Sequence, residues 1–115
     1  MNGPAPARGD IWDVQFDPTL GREQAGARPA LIVSVDLFNE GPAELTVAIP
    51  LTRTPRKIRW HVPVSPPEGG LTSESYIQCE NVRSISKARL KRRRGRVSEA
   101  TLNQIEDRLR ILLGL

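Results

Sequence analysis

At 115 residues the chain is long enough for one domain with a modest core, and an aromatic content of 4% leaves Val, Ile and Leu to fill it. No apolar run is long enough to span a membrane, residues 1–7 lack the apolar stretch of a secretory signal, and the single cysteine, Cys79, has no internal disulfide partner, which fits a reducing cytoplasm. A net charge of +4 and a pI near 10.0 point towards a polyanionic partner.

Residues 1–7, rich in Pro, Gly and Ala, read as a loose tail, and 8–115 as a single domain. Asp10 to Phe16 alternates, with Ile11, Asp13 and Gln15 on one face and Trp12, Val14 and Phe16 on the other, as in a half-buried strand. Ala30 to Val35 is nearly all apolar and predicts a central strand. Phe38 to Pro42 is turn chemistry. Leu45 to Leu51 predicts a strand, with Pro50 at a bulge or strand end. Ile58 to Val64 alternates around an edge-favouring Pro63, residues 65–73 form a loop, and Tyr76 to Ile85 predicts a further strand. The end differs. Ser98 can cap a helix, Glu99 suits the dipole of its first turn, and Val97 with Leu102 forms a hydrophobic staple. Leu102, Ile105, Leu109 and Leu112 make a stripe at helical spacing, and Gly114 terminates it. Strands followed by one helix predict an α+β, mainly β fold: an antiparallel, partly closed sheet with a helix packed on it.

Two stretches carry functional interest. The first is the connection between the first two strands, F-D-P-T-L-G-R-E-Q-A-G-A-R-P (16–29), which is unusually long for a small domain and has no helical period. Gly21 and Gly26 let its backbone approach a partner, Glu23 and Gln24 supply an acid and an amide, and Arg28, biased to extended backbone by Pro29, stands at its root. Arg28 is either an anchor paired to Glu23 or Asp17, or a functional guanidinium. The second is K-A-R-L-K-R-R-R-G-R (87–96), with seven basic side chains and no acid, so that the remainder of the chain is net negative. It reads as a nucleic-acid-attracting segment or as a solvated basic turn before the helix. Lys57 and Arg59, one strand repeat apart, share a face on which they can track phosphates.

Other chemistries lack their residues. A single histidine, His61, rules out a two-histidine ribonuclease mechanism within one protomer; its place in an alternating strand predicts a surface or edge position. One histidine and one cysteine do not make a zinc site, and there is no phosphate loop of the G-x-x-x-x-G-K-[ST] type. Trp12 and Trp60 read as core or dimer-contact residues rather than stacking platforms.

The segment G-D-I-W-D-V-Q-F-D-P-T-L-G-R-E-Q-A-G-A-R-P-A-L-I-V-S (9–34), continued at A-I-P-L-T (48–52), at E-N-V-R-S-I (80–85) and in the final helix, resembles the MazF/PemK (Kid) toxins of type II toxin–antitoxin systems. The resemblance implies an SH3-like antiparallel barrel with a C-terminal helix, of the CcdB/Kid/MazF-like kind, usually dimeric. It also implies a sequence-selective endoribonuclease, an mRNA interferase, that cleaves single-stranded RNA without metal or other cofactor. In it the 2′-OH attacks the adjacent phosphorus, leaving a 2′,3′-cyclic phosphate and a 5′-OH. Carried over by position, Arg28 is catalytic, suited to stabilise a phosphorane but not to act as a base. Thr52 is the catalytic threonine, an assignment that rests on the resemblance alone, with Thr54 as second choice. Glu23 acts as base or as loop orienter, and Gln24 reads a base edge or bonds within the loop. Arg22 stands where many relatives have serine, and Asn81 after Glu80 where glutamine is frequent; both flank the expected RNA groove. The implied partners are single-stranded mRNA, a second copy of the chain, a MazE-like acidic antitoxin and, through the antitoxin alone, operator DNA. The implied setting is the bacterial cytoplasm.

Two rivals remain on the same type of fold: a CcdB-like, non-enzymatic poison of DNA gyrase, and a catalytically inactive RNA-binding barrel. The gyrase poisons depend on a tryptophan near the C-terminus, whereas this chain ends I-L-L-G-L with both tryptophans at or before position 60. Intact Arg28 and Thr52 argue against the inactive barrel.

Overall fold

Seven short segments pair into one antiparallel sheet in the computed structural model, which describes residues 5–16 and 27–115. The strands are β1 (Asp10–Gln15), β2 (Ala27–Ile32), β3 (Leu45–Thr52), β4 (His61–Val64), β5 (Ser75–Gln78), β6 (Arg83–Ser86) and β7 (Leu90–Arg96). Two helices accompany them, a single turn α1 (Asp36–Asn39) and the long α2 (Glu99–Leu113). The strand order is β4-β5-β3-β2-β1-β7, with β6 added beside β3. The connection after β4 crosses to pack on β7 at the other end of this order, so the sheet is rolled towards closure.

β3 organises the roll. One edge pairs with β2 through Ala30–Pro50, Leu31–Ile49 and Ile32–Ala48. Its first half also pairs with β6, Leu45 opposite Ser86 through Ala48 opposite Arg83, and its last two residues pair with β5, Leu51 opposite Ile77 and Thr52 opposite Tyr76. Covering a curved strand in this way takes two short strands, not one. The expected strand Tyr76–Ile85 is accordingly broken by a 3-10 turn at Cys79–Asn81. The expected strand Ile58–Val64 is shorter as well. Ile58 donates its N–H to the Arg56 carbonyl and His61 donates to the Ile58 carbonyl, so 53–60 is a loop with turns and pairing begins at His61. Lys57 and Arg59 therefore sit on an exposed loop, not on one face of a strand.

The basic run 87–96 is neither a turn nor a free tail. After a 3-10 turn at Lys87–Arg89 it is strand β7, hydrogen-bonded to β1. Glycines make that strand's seat. A Cβ on Gly95 would lie 2.8 Å from the Gly69 and Gly70 backbone, and one on Gly70 would lie 2.0 Å from the Arg94 carbonyl oxygen. The 65–73 connection and β7 touch backbone to backbone, which side chains would forbid.

Apolar residues pack on both faces. The main core gathers Ile11, Leu31, Ile49, Leu51, Val62, Ile77 and Ile105, and a smaller cluster on the other face gathers Val14, Ala30, Ile32, Ala48 and Ile85 under Trp12, Phe16 and Leu90. α2 closes the main core with Ile105, flanked by half-buried Leu102 and Leu109. Its ends are built as the sequence predicts: the Ser98 hydroxyl accepts the Thr101 N–H at 3.1 Å, and Gly114 adopts the left-handed conformation at φ 71°. Near the N-terminus, Pro6 is buried and the Ala7 N–H donates to Asp10, so the expected loose tail is tied to the domain from residue 6.

Candidate active site

A cleft of about 500 Å³ opens where β2 begins and β3 ends. Arg28, on β2 opposite Val14, and Thr52, the last residue of β3, both line it, although 24 positions separate them. They meet because β2 and β3 are antiparallel neighbours. The Arg28 side chain is exposed, lines the cleft and makes no hydrogen bond or ion pair with another described residue. Thr52 is half-buried, and its Oγ1 accepts the Thr54 N–H at 3.2 Å, which orients the hydroxyl. Thr54 lines the cleft as well.

Three charged residues that sequence reasoning passed over complete the wall: Asp13 of β1, Arg53 and Arg94 of β7. Three guanidiniums thus face one carboxylate, and that carboxylate is already engaged, by Arg94 at 3.3 Å and Arg92 at 3.4 Å. The cleft is built for an anion. Arg53 was findable as the immediate neighbour of Thr52; Arg94 was hidden inside a uniform basic run.

Four further charges of that run are taken up locally. Lys87 is buried and donates to the Asn39 carbonyl at 2.7 Å. Arg89 donates to the Gln15 and Phe16 carbonyls at 3.0 and 3.1 Å. Arg93 and Arg96 both reach the buried Asp10, at 3.2 and 3.1 Å. Much of the expected nucleic-acid patch is therefore the structural partner of β1.

The remaining expected site residues divide into two groups. Gly21, Arg22, Glu23, Gln24 and Gly26 lie outside the described residues, as does Asp17, one possible anchor for Arg28. Lys57, Arg59, Glu80 and Asn81 are described, and none lines the cleft. Arg59 lies over the Trp60 ring, and Asn81 is exposed at the end of its 3-10 turn. The Glu80 carboxylate accepts from His61 Nε2 at 2.8 Å. His61 stands on the edge strand β4, one of the two expected positions, but is buried and not on the surface, because pairing with β5 and the turn at 79–81 cover it. Cys79 beside it is buried, and desolvation, reinforced by the Glu80 charge, pushes its thiol up to about 11.

Next to the cleft, Glu68 ties the 65–73 connection to α2. Its Oε2 accepts the Ser98 N–H at 2.8 Å and the Thr101 hydroxyl at 2.6 Å. Burial alone would raise its carboxyl, but these bonds outweigh burial and hold it below the ordinary value. Among the described residues no three His, Cys, Asp or Glu side chains gather as a metal site needs, and no helix is long and apolar enough to cross a membrane.

Comparison with known proteins fits this geometry. The family model described as "PemK-like, MazF-like toxin of type II toxin-antitoxin system" matches residues 7–113. The chain is 39% identical over 114 residues to endoribonuclease MazF9 of Mycobacterium tuberculosis, covering 94% of this chain and 96% of that one. It is 29% identical over 109 residues to endoribonuclease EndoA of Bacillus subtilis, covering 94% of each. An endoribonuclease from a mycobacterial species, solved in complex with its cognate antitoxin, superposes with a TM-score of 0.78 at 35% identity, over 96% of this chain and 97% of that one.

Proposed function

Because the chain belongs to the family of PemK-like, MazF-like toxins of type II toxin–antitoxin systems, we propose that its cleft cuts single-stranded RNA by the RNA's own 2′-OH, without a metal ion. The chain is an endoribonuclease toxin, not a gyrase poison. The observation that carries the mechanism is the meeting of Arg28 and Thr52 in one cleft walled by two further guanidiniums.

The attacking 2′-OH forms a bond to phosphorus and the bond to the 5′ oxygen breaks, leaving a 2′,3′-cyclic phosphate and a 5′-OH. Negative charge builds on the equatorial oxygens in between. Arg28, planar and multiply donating, stabilises that charge and donates a proton to the leaving oxygen. The Thr52 hydroxyl holds the scissile phosphate or orients the ribose hydroxyl. Glu23 or another group takes the 2′-OH proton. The same excess of positive charge suits an acidic antitoxin segment that inhibits by occupying the cleft. The working unit is a homodimer, and it meets operator DNA through the antitoxin.

The test is direct. The purified chain is incubated with a long RNA in excess EDTA, and the fragment ends are mapped. We expect defined cuts, 5′-OH ends that a kinase labels without prior phosphatase, and cyclic phosphates on the other side. Activity lost on chelation and restored by Mg²⁺ or Mn²⁺ contradicts the mechanism, and so do 5′-phosphate ends.

A further inference from the structure

One arginine of the basic run differs from its neighbours. The β1–β7 register runs Ile11 opposite Gly95 and then Trp12 opposite Arg93, so Arg94 is the extra residue, opposite nothing. Such irregularities re-aim a side chain. Here Arg94 is sent into the cleft that holds Arg28 and Thr52. Its side chain is 19% exposed, against 70% for Arg92, which shares the same carboxylate partner. Its carbonyl packs so closely on Gly70 that a Cβ there would lie 2.0 Å from the oxygen.

The guanidinium is also underused. Nη1 reaches Asp13 Oδ1 at 3.3 Å, Nε is buried without a partner, and Nη2 bonds to nothing among the described residues. A largely buried cation with most of its donors idle is costly unless an acceptor arrives. The cleft is the side from which one can arrive.

Resting on the ribonuclease reading above, we propose that Arg94 is a substrate-positioning residue. Its guanidinium, braced by Asp13, takes the non-bridging oxygens of an RNA phosphate other than the one that is cut. The scissile phosphate is left to Arg28 and Thr52. Arg94 thereby sets where the strand lies in the cleft and takes no part in the chemical step.

The probe is a short RNA spanning a mapped cut site, made uncleavable by 2′-deoxy substitution at the cut nucleotide. A series carries one neutral methylphosphonate at each successive position. The parent, Arg94→Ala, Arg94→Gln and Arg92→Ala are compared, with melting to confirm folding. Arg94→Gln keeps an amide donor for Asp13 and carries the comparison if the alanine variant does not fold. We expect the Arg94 variants to bind the unmodified probe roughly 10- to 100-fold more weakly, as for a lost charged hydrogen bond. They should be insensitive to methylphosphonate at one non-scissile position where the parent is sensitive. On cleavable RNA their rate at saturation should stay near the parent's, and Arg92→Ala should change little. Unchanged binding in both Arg94 variants overturns the proposal. So does a loss spread evenly over all positions, or a rate at saturation that falls as it does for an Arg28 variant. If the parent cuts no RNA, the ribonuclease reading fails, while the binding series still decides whether Arg94 meets a phosphate.

Discussion

The cleft and the seam beneath α2 lie on either side of the 65–73 connection, and they treat polar groups in opposite ways. In the seam, polar groups from its two sides meet each other. Glu68 takes the Ser98 N–H and the Thr101 hydroxyl, Arg108 donates to the Arg59 carbonyl at 2.9 Å, and Ile105 is 1% exposed at the centre. In the cleft Arg28 is unpartnered among the described residues, and Arg94 keeps idle donors. The seam is finished by the chain itself, whereas the cleft leaves guanidinium donors open among the described residues. Stability should therefore reside in the first and turnover in the second, and substitutions can separate them.

The largest effect is expected where the seam is apolar. Ile105→Asp buries an unpaired charge in a small core and should unfold the chain or lower its stability by more than about 4 kcal/mol. Cys79 reports this: its buried, poorly ionised thiol should resist thiol reagents in the parent and react promptly in the variant. A variant that melts like the parent means that α2 is not packed as described.

Next comes Asp10, the buried carboxylate that gathers Arg93, Arg96, the Trp12 indole and the Ala7 N–H. Asp10→Ala should cost about 1–3 kcal/mol in denaturant unfolding and leave the cleavage rate at saturating RNA near the parent's. A rate loss without a stability loss would move Asp10 from scaffold to site.

Glu68→Gln should cost about 1 kcal/mol, as for the loss of a helix cap. The sign of its pH dependence follows from a carboxyl held below its ordinary 4.5. Its contribution is present above 4.5, declines as pH falls through that region, and is gone below the lowered folded value. Thermal melts of parent and variant should therefore converge in acid and separate towards neutrality.

The smallest effect is expected for Arg92→Ala with Arg93→Ala. Both side chains are about half exposed or more and neither lines the cleft, so stability should change by about 0.5 kcal/mol or less. The salt dependence of RNA binding should change less than for Arg94→Ala alone.

Legibility in the sequence followed what each residue depends on. The helix read clearly, since its cap, stripe and terminator are all local. β7 did not, because K-R-R-R has no apolar alternation. Its arginines are tolerated in a strand because Asp10 and Asp13 of β1 pair with them. The break at Cys79–Asn81 was equally hidden, as it answers to the curvature of β3. In the site, Arg28 could be singled out by its place at the root of a long loop. Thr52 looked like any strand threonine and was reached by resemblance. Arg94 could not be told from its neighbours until the register slip showed where it is aimed.

The central claim is that the cleft holds chemistry and not merely affinity, and single-turnover cleavage measured against RNA concentration for Arg28→Ala tests it most directly. The rate at saturation should fall roughly 10²–10³-fold, as for loss of one oxyanion donor, while the half-saturating RNA concentration stays near the parent's. An Arg28→Ala protein that cuts at the parent's rate once RNA is saturating would contradict the account and leave Arg28 as a binding residue only.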